Sequence, residues 1–340
     1  MVLTSLLVTL AFAAHPHPKG LKKKTVEVPL VESVFRASAA PVSRRAKIFL
    51  VAGSSLAASF AREIIDQKAL WLGAGFHEDE IECYYVVPLQ EDFNGDPKLF
   101  RELAAAVAGC HPANAKLLRQ HLRETAARKP PFLYLYVTSH GDKPSPQTLA
   151  EARKTDDDYW ALTRESRYPV LDQYTMLVEG LPDGTATGAE IFGAYRGGMD
   201  PADLYLTPRY LREALAAGFE KVPKFVVLQG CFSGGFVEEE EDHYRADLLT
   251  RLPELTVLTA ARHDRSSFGC EPGSRTTFYG GAYNEALARF IRPDPRAIDW
   301  RKLHETVAAH VVALEKREKA KPPSLPQFFT SAPPSPARSE

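Results

Sequence analysis

The fold of this chain is decided by the stretch Phe225-Val-Val-Leu-Gln-Gly-Cys-Phe-Ser-Gly-Gly235, an apolar run that stops at a glycine, a cysteine and a glycine-rich turn. A short continuous apolar run is typical of a strand buried on both faces, as in a parallel sheet. Cys231 therefore sits where such a strand ends, which is where open α/β sheets bind ligands. A buried structural cysteine is the alternative. The flanking glycines argue against it, because they would let a substrate backbone approach the thiol.

A second apolar run ends in the same way: Phe132-Leu-Tyr-Leu-Tyr-Val-Thr-Ser-His-Gly-Asp142 carries His140 and Gly141 at its end. A lone histidine is usually only a surface residue. Placed at a strand end like that of Cys231, it predicts a base, because an imidazole can take up the thiol proton and later protonate a leaving amine. The backbone N–H groups of Gly141 and Cys231 are then the expected oxyanion donors.

These motifs together resemble the legumain-like family of cysteine peptidases, which has caspases and gingipains as more distant relatives. Three further stretches fit the family order: Lys47-Ile-Phe-Leu-Val-Ala-Gly-Ser54, Thr259-Ala-Ala261 and Ser266-Ser-Phe-Gly-Cys270. The resemblance implies a caspase-like three-layer α/β sandwich, with a mostly parallel sheet of about six strands and helices on both faces. It also implies a cysteine endopeptidase that acts on protein or peptide substrates without a cofactor.

The substrate pocket departs from the family pattern. Gln229 stands where the family has a glutamate and Gly281 aligns with its pocket aspartate, whereas Ser267 is retained. Arg62 falls near the family's substrate-binding Arg-His pair. Losing two carboxylates weakens the attraction for a buried cation, so we expect Asn, Gln or Asp rather than Lys or Arg before the scissile bond. The acidic run Glu238–Asp242 could reverse this preference if it folds over the cleft.

The resemblance also leaves the orientation of the base open, because the family asparagine that orients it falls near Ser59. A catalytically silent binding or scaffold protein of the same fold is therefore the main alternative. An α/β-hydrolase is disfavoured because Gly230 directly precedes the cysteine and the histidine comes first in the chain. A nucleotide-binding domain is disfavoured because Gly53-Ser-Ser55 belongs to no phosphate-binding motif.

Composition places the chain among ordinary globular proteins. It has 340 residues, 44% of them hydrophobic and 25% charged, with a formal net charge of −1, which does not suggest a nucleic-acid partner. Residues 2–14 are apolar, too short to span a membrane and end in an Ala-x-Ala pattern, so we predict a signal peptide over 1–14 and export to the periplasm or outside the cell. The other predicted segments are a flexible lead-in over 15–43, a peptidase domain over 44–330 with an insertion at about 143–203, and a disordered tail over 331–340.

The secondary-structure pattern alternates between strands and helices, which predicts right-handed crossovers and a parallel sheet. The insertion roughly doubles the length expected for the return from His140 to Cys231, and we interpret it as a lid or a surface addition. The predicted strands cover 46–52, 81–87, 132–140, 225–230, 255–261 and 326–330. The predicted helices cover about 56–72, 97–108, 112–127, 277–291 and 300–317, with another beginning after Thr207.

The four cysteines show no spacing of a zinc site, so no metal is predicted. In an exported protein Cys83 and Cys110 could form a disulfide, but the sequence does not give their separation. Cys270 aligns with a cysteine of the legumain-like family and is interpreted as structural.

Overall fold

A computed structural model describes residues 41–54, 58–86, 96–144, 173–178, 205–238, 242–271 and 274–332. The signal peptide, nearly all of the lead-in, most of the insertion, the centre of the acidic run and most of the tail lie outside these residues. The main sheet has seven strands: β1 Ile48–Ala52, β2 Ile81–Tyr85, β3 His111–Pro112, β4 Leu133–Thr138, β8 Lys224–Gln229, β9 Leu255–Thr259 and β10 Gln327–Thr330.

The strand order across the sheet is β10-β9-β8-β4-β1-β2-β3. All neighbours pair in parallel except β10, which runs antiparallel to β9 and closes one edge. From β1 the chain continues to β2 and β3 on one side, and from β4 to β8 and β9 on the other. The strand order therefore reverses between β1 and β4, and the crevice beyond their carboxyl ends is the expected ligand site.

In the described ranges six α-helices flank this sheet: α1 Ala58–Gly73, α2 Pro97–Val107, α3 Ala115–Ala126, α4 Pro208–Ala216, α5 Phe278–Phe290 and α6 Trp300–Glu318. Alternate strand residues such as Leu50 and Val227 pack in one apolar cluster with α1, α2, α5 and α6. The intervening residues, such as Val51 and Val226, pack in a second cluster with α3 and α4. Because every central strand is buried on both sides, the apolar runs of the sequence are continuous rather than alternating.

This arrangement confirms the predicted α/β class with a mostly parallel sheet and helices on both faces, although the sheet has seven strands rather than about six. The extra strand is the two-residue β3, His111–Pro112, which pairs with β2. Because β3 takes up these residues, α3 begins later than predicted. Asn114 caps it by accepting a hydrogen bond from Leu117 N–H at 3.0 Å.

The pairing of β2 with β3 also joins two cysteines. Tyr84 is in register with His111, which brings the preceding residues Cys83 and Cys110 to a Cα–Cα distance of 4.7 Å, and they form a disulfide. The bond fastens the edge strand to the sheet across a chain separation of 27 residues. The sequence alone left this pairing undecided.

A small antiparallel sheet stands next to the main one. It consists of β5 Gly141–Asp142, β6 Thr175–Leu177 and β7 Tyr205–Leu206, in the order β5-β6-β7. β6 comes from the predicted insertion, yet all of residues 173–178 are buried. This part of the insertion is core structure rather than an exposed lid, and the rest lies outside the described residues.

Candidate active site

His140 and Cys231 lie two residues beyond the ends of adjacent parallel strands. Thr138 of β4 is in register with Gln229 of β8, and Ser139 N–H donates to the Gln229 carbonyl at 3.0 Å, so the alignment continues past the strand ends. The two predicted catalytic residues therefore follow neighbouring strand ends, at the same edge of the sheet.

The turn after Cys231 is bound to the end of β9. Phe232 adopts the left-handed region with φ 56°, and its N–H donates to the Arg265 carbonyl at 2.8 Å. Gly234 N–H donates to the Ala261 carbonyl at 2.7 Å. A non-glycine residue in this conformation is held only by surrounding contacts, and these two hydrogen bonds supply them.

The glycines of this turn have a different role from the one predicted. A Cβ on Gly235 would overlap the Tyr174 ring, and one on Gly234 would lie 2.7 Å from the Ala261 carbonyl oxygen. They are needed for close packing against the end of β9 and the segment around β6, and their role in the approach of a substrate backbone stays a prediction.

The Cys231 thiol is partly buried and neutral in the resting protein. Its Sγ contacts the Ser267 carbonyl oxygen at 3.5 Å. Burial raises the pKa of the thiol against hydrogen bonds with the Ser267 backbone and the Ser266 side chain, which lower it, and the negative charge of Asp142 adds a smaller upward effect. Cys270 is also free and partly buried, and burial raises its pKa to about 12.

The His140 imidazole is neutral as well. Desolvation lowers its pKa to about 4, and the Phe60 ring packs edge-on against it with ring centroids 5.2 Å apart. Among the hydrogen bonds of the described residues, none reaches the His140 ring. Ser59, which the sequence placed near the position of an orienting residue, is buried on α1 without a hydrogen-bond partner for its hydroxyl. Among the described residues, the Phe60 ring is an aromatic neighbour that restricts the imidazole.

Gly141 directs its backbone N–H away from β6. Leu177 N–H donates to the His140 carbonyl at 3.0 Å, which makes Gly141 and Met176 a non-hydrogen-bonded pair of the antiparallel ladder. A Cβ on Gly141 would overlap the Cys231 carbonyl oxygen, so the two backbones are in direct contact. A role for the Gly141 N–H as an oxyanion donor stays a prediction.

The segment around β6 closes the strand-end side of the site. A Cβ on Gly53 would overlap the Leu177 carbonyl oxygen, and one on Gly230 would lie 3.1 Å from Met176 Cε. The segment therefore crosses the ends of β1 and β8 and forms a fixed wall beside the cleft.

The predicted pocket residues separate into two groups. Gln229 Nε2 lies 3.4 Å from Ser267 Oγ, and both residues are buried next to the thiol. Gly281 lies in the first turn of α5 and not in a loop. A Cβ on Gly281 would contact Thr276 Oγ1. Arg62 is on α1, and its charge lowers the pKa of Asp66 against the larger effect of desolvation, which raises it. A role for Arg62 in the pocket stays a prediction.

One polar residue of the site was missed in the sequence. Glu63 is fully buried on α1, and a Cβ on Gly280 would overlap its carboxyl group. Its signal in the sequence is a glutamate at a core position of the helix, next to Phe60 and Ile64 on the buried face.

Among the described residues, no group of three or more His, Cys, Asp or Glu side chains is placed to hold a metal ion. None of the described helices has both the length and the apolar composition needed to cross a membrane. A cavity of about 210 Å³ lies between α1 and α2, beside the Cys83–Cys110 disulfide, and is separate from the thiol.

Comparisons with known proteins find only distant similarity. No protein-family model matches the chain, and no curated protein matches it. Among solved structures, the chain is similar to a structural-genomics target protein from Geobacter sulfurreducens, with a TM-score of 0.44, 10% identity, and coverage of 86% of this chain and 96% of that one. It is also similar to caspase-1 from Spodoptera frugiperda, with a TM-score of 0.38, 11% identity, and coverage of 86% and 91%. The case for the site is therefore made by its own geometry.

Proposed function

We propose that this protein is a cysteine endopeptidase of the legumain-like type, in which Cys231 is the nucleophile and His140 the general acid and base. The observation that carries the proposal is the register of β4 and β8, because His140 and Cys231 each follow two residues after the paired ends Thr138 and Gln229. The Gly141 N–H, which points away from β6 while its backbone contacts that of Cys231, supports the proposal, because acyl transfer needs a donor for the oxyanion.

The protonation states indicate how the first step proceeds. Moving a proton from a thiol of raised pKa to an imidazole of lowered pKa is uphill, so the transfer must accompany attack rather than precede it. As Sγ bonds to the substrate carbonyl carbon, His140 takes the thiol proton. The oxygen of the tetrahedral intermediate becomes negative and receives hydrogen bonds from the N–H groups of Gly141 and Cys231.

The second half of the cycle uses the same groups. His140 gives its proton to the leaving nitrogen as the C–N bond breaks, which leaves a thioester on Cys231. His140 then removes a proton from a water molecule, whose oxygen attacks the thioester carbon. Breaking of the C–S bond releases the carboxylic acid product and returns the proton to the thiol.

The direct test is hydrolysis of a peptide library by the purified protein, with Cys231→Ala as the matched control. Cleavage by the wild-type protein and none by the variant is the expected result. Equal cleavage by both proteins would point to a contaminating peptidase and remove the basis of the proposal.

A catalytically silent binding protein of the same fold is the second candidate. The observation that favours it is the His140 ring, which lacks a hydrogen bond among the described residues and is neutral down to about pH 4. Tight binding of library peptides without cleavage, unchanged when Cys231 is replaced, would support this function instead.

The pH dependence should distinguish a neutral dyad from a thiolate–imidazolium pair. We expect kcat/KM to fall on the acid side around pH 4, where His140 becomes protonated and can no longer accept a proton. Alkylation of Cys231 by iodoacetamide should rise steadily from neutral to alkaline pH, because it follows the thiolate of a thiol with raised pKa. A Cys270→Ala background confines the alkylation signal to Cys231. A plateau of alkylation through neutral pH would reveal an ion pair and contradict this description.

A further inference from the structure

Glu63 is the first of a series of hydrogen-bonded, buried polar side chains that the proposed reaction does not use. Its Oε1 accepts hydrogen bonds from the backbone N–H and the hydroxyl of Thr277, both at 2.7 Å. Its Oε2 contacts the Tyr136 hydroxyl at 2.8 Å and the Thr138 hydroxyl at 2.6 Å. The carboxyl group thus ties α1 to β4 and to the start of α5.

The series continues from Thr138 to the thiol. Thr138 Oγ1 also lies 2.6 Å from Gln229 Oε1. The other end of this amide, Gln229 Nε2, faces Ser267 Oγ at 3.4 Å, and the Ser267 carbonyl contacts Cys231 Sγ. The Gln229 amide therefore lies between Thr138 and the Ser267 segment that contacts the thiol.

The number of available protons limits which of these contacts can be hydrogen bonds. The Thr138 hydroxyl carries one proton, yet it makes two contacts of 2.6 Å, to Glu63 Oε2 and to Gln229 Oε1. Gln229 presents its oxygen to Thr138 and its nitrogen to Ser267 Oγ, so it has no proton to give to the Thr138 hydroxyl. Both contacts are hydrogen bonds only if the second proton sits on Glu63.

The surroundings of Glu63 favour this neutral form. Oε1 is committed as an acceptor, because Thr277 Oγ1 itself accepts from Gly280 N–H at 2.9 Å and so directs its own proton to Glu63. No cation of the described residues pairs with the carboxyl group, and a buried charge without a partner is costly. Desolvation raises the pKa of Glu63 against the hydrogen bonds from Thr138, Thr277 and Tyr136, which lower it.

We propose that Glu63 is a neutral carboxylic acid whose proton, relayed by Thr138, locks the Gln229 amide with its NH₂ group towards Ser267 and the substrate pocket. This rests on the proposed peptidase function. A wall of N–H donors selects a side chain that accepts hydrogen bonds, so Asp, Asn or Gln is preferred before the scissile bond over Lys or Arg. Ionised Glu63 would keep the Thr138 proton for itself, and the Gln229 amide would turn its oxygen to the pocket.

The specificity test uses two matched variants of Thr138. In the wild-type protein we expect kcat/KM to be at least about tenfold higher for an Asn substrate than for its Lys analogue, equivalent to about 1.4 kcal/mol in transition-state binding. Thr138→Val removes the relay hydroxyl but keeps the shape, and should reduce this ratio to near unity, mainly through KM. Thr138→Ser keeps the hydroxyl and should retain the ratio. A Lys preference in the wild type, or an unchanged ratio in Thr138→Val, would overturn the proposal.

Glu63→Gln provides a variant that should fold and keep the selectivity. An amide at this position can donate to Thr138 as the neutral acid does, while its oxygen still accepts from Thr277. We expect its Asn-to-Lys ratio to match that of the wild-type protein. Loss of the ratio in Glu63→Gln would mean that the negative charge is needed, which contradicts the proposal.

Protein stability tests the state of Glu63 without any substrate. A raised folded-state pKa gives stability that is complete below the ordinary glutamate value of about 4.3 and is lost as the pH rises through the folded pKa. The difference in the free energy of unfolding, Glu63→Gln minus wild type, should therefore increase as the pH rises from 5 to about 9. A difference that is constant, or that shifts towards the wild type with rising pH, would show an ionised Glu63. If no peptide is cleaved at all, the proposed function fails, while this measurement still decides the protonation state.

Discussion

Replacing Cys231 or His140 with alanine is expected to abolish peptide hydrolysis, with a fall in kcat of at least about 10³-fold for each variant. In the proposed mechanism the Cys231 thiol and the His140 imidazole exchange the same proton. Removing either group therefore prevents the other from contributing to the reaction. The double variant should therefore lose no more activity than either single variant. Steady-state kinetics of the four proteins on one peptide substrate measure this non-additivity directly.

Cys270→Ala is the control for this comparison. Cys270 is a partly buried free thiol whose pKa burial raises to about 12, so it contributes no thiolate near neutral pH. We expect its replacement to leave kcat close to the wild-type value. Activity that survives in Cys231→Ala but disappears in Cys270→Ala would show that Cys270, and not Cys231, is the nucleophile.

Gly141→Ala should have the next largest effect, a loss of about 10²-fold in kcat/KM. A Cβ at this position would overlap the Cys231 carbonyl oxygen and would lie 3.3 Å from the Thr175 carbonyl oxygen. The backbone must shift to relieve this overlap, and the shift moves the N–H that we propose as an oxyanion donor. Hydrolysis kinetics and the melting temperature, measured together, separate this effect from loss of folding.

Two comparisons make the Gly141 result specific. Gly73→Ala adds a methyl group at the end of α1, where nothing lies within 4 Å, and should leave activity unchanged. Alkylation of Cys231 by iodoacetamide forms no oxyanion, so its rate in Gly141→Ala should stay near that of the wild type. If alkylation falls in parallel with hydrolysis, the glycine serves the access or ionisation of the thiol and is not an oxyanion donor.

The sequence determined the features that depend on local pattern. The apolar runs that end in His140 and Cys231 predicted buried parallel strands, and both strands lie where they were expected. The edge strand Gln327–Thr330 was also correctly located, as was the helix that Thr207 caps. These features follow from side-chain periodicity and capping, which act over a few residues and can be identified in a single segment.

The tertiary structure alone decided the contacts between distant segments. The Glu63–Thr277 hydrogen bonds join residues 214 positions apart, and the Cys83–Cys110 disulfide depends on the pairing of β2 with β3. The turn glycines proved to accommodate packing, and part of the insertion proved to be a buried wall. Neither outcome can be read from one segment, because each depends on which other backbone lies against it.

The electrostatic state of the site also belongs to the tertiary structure. The sequence supplied a thiol, an imidazole and a glutamate, but burial sets their charges by removing water from each group. Desolvation depends on every atom that surrounds a group, including those contributed by remote helices. The sequence therefore determined which groups carry the proposed chemistry, and the packing of the whole domain decided the protonation state in which they meet.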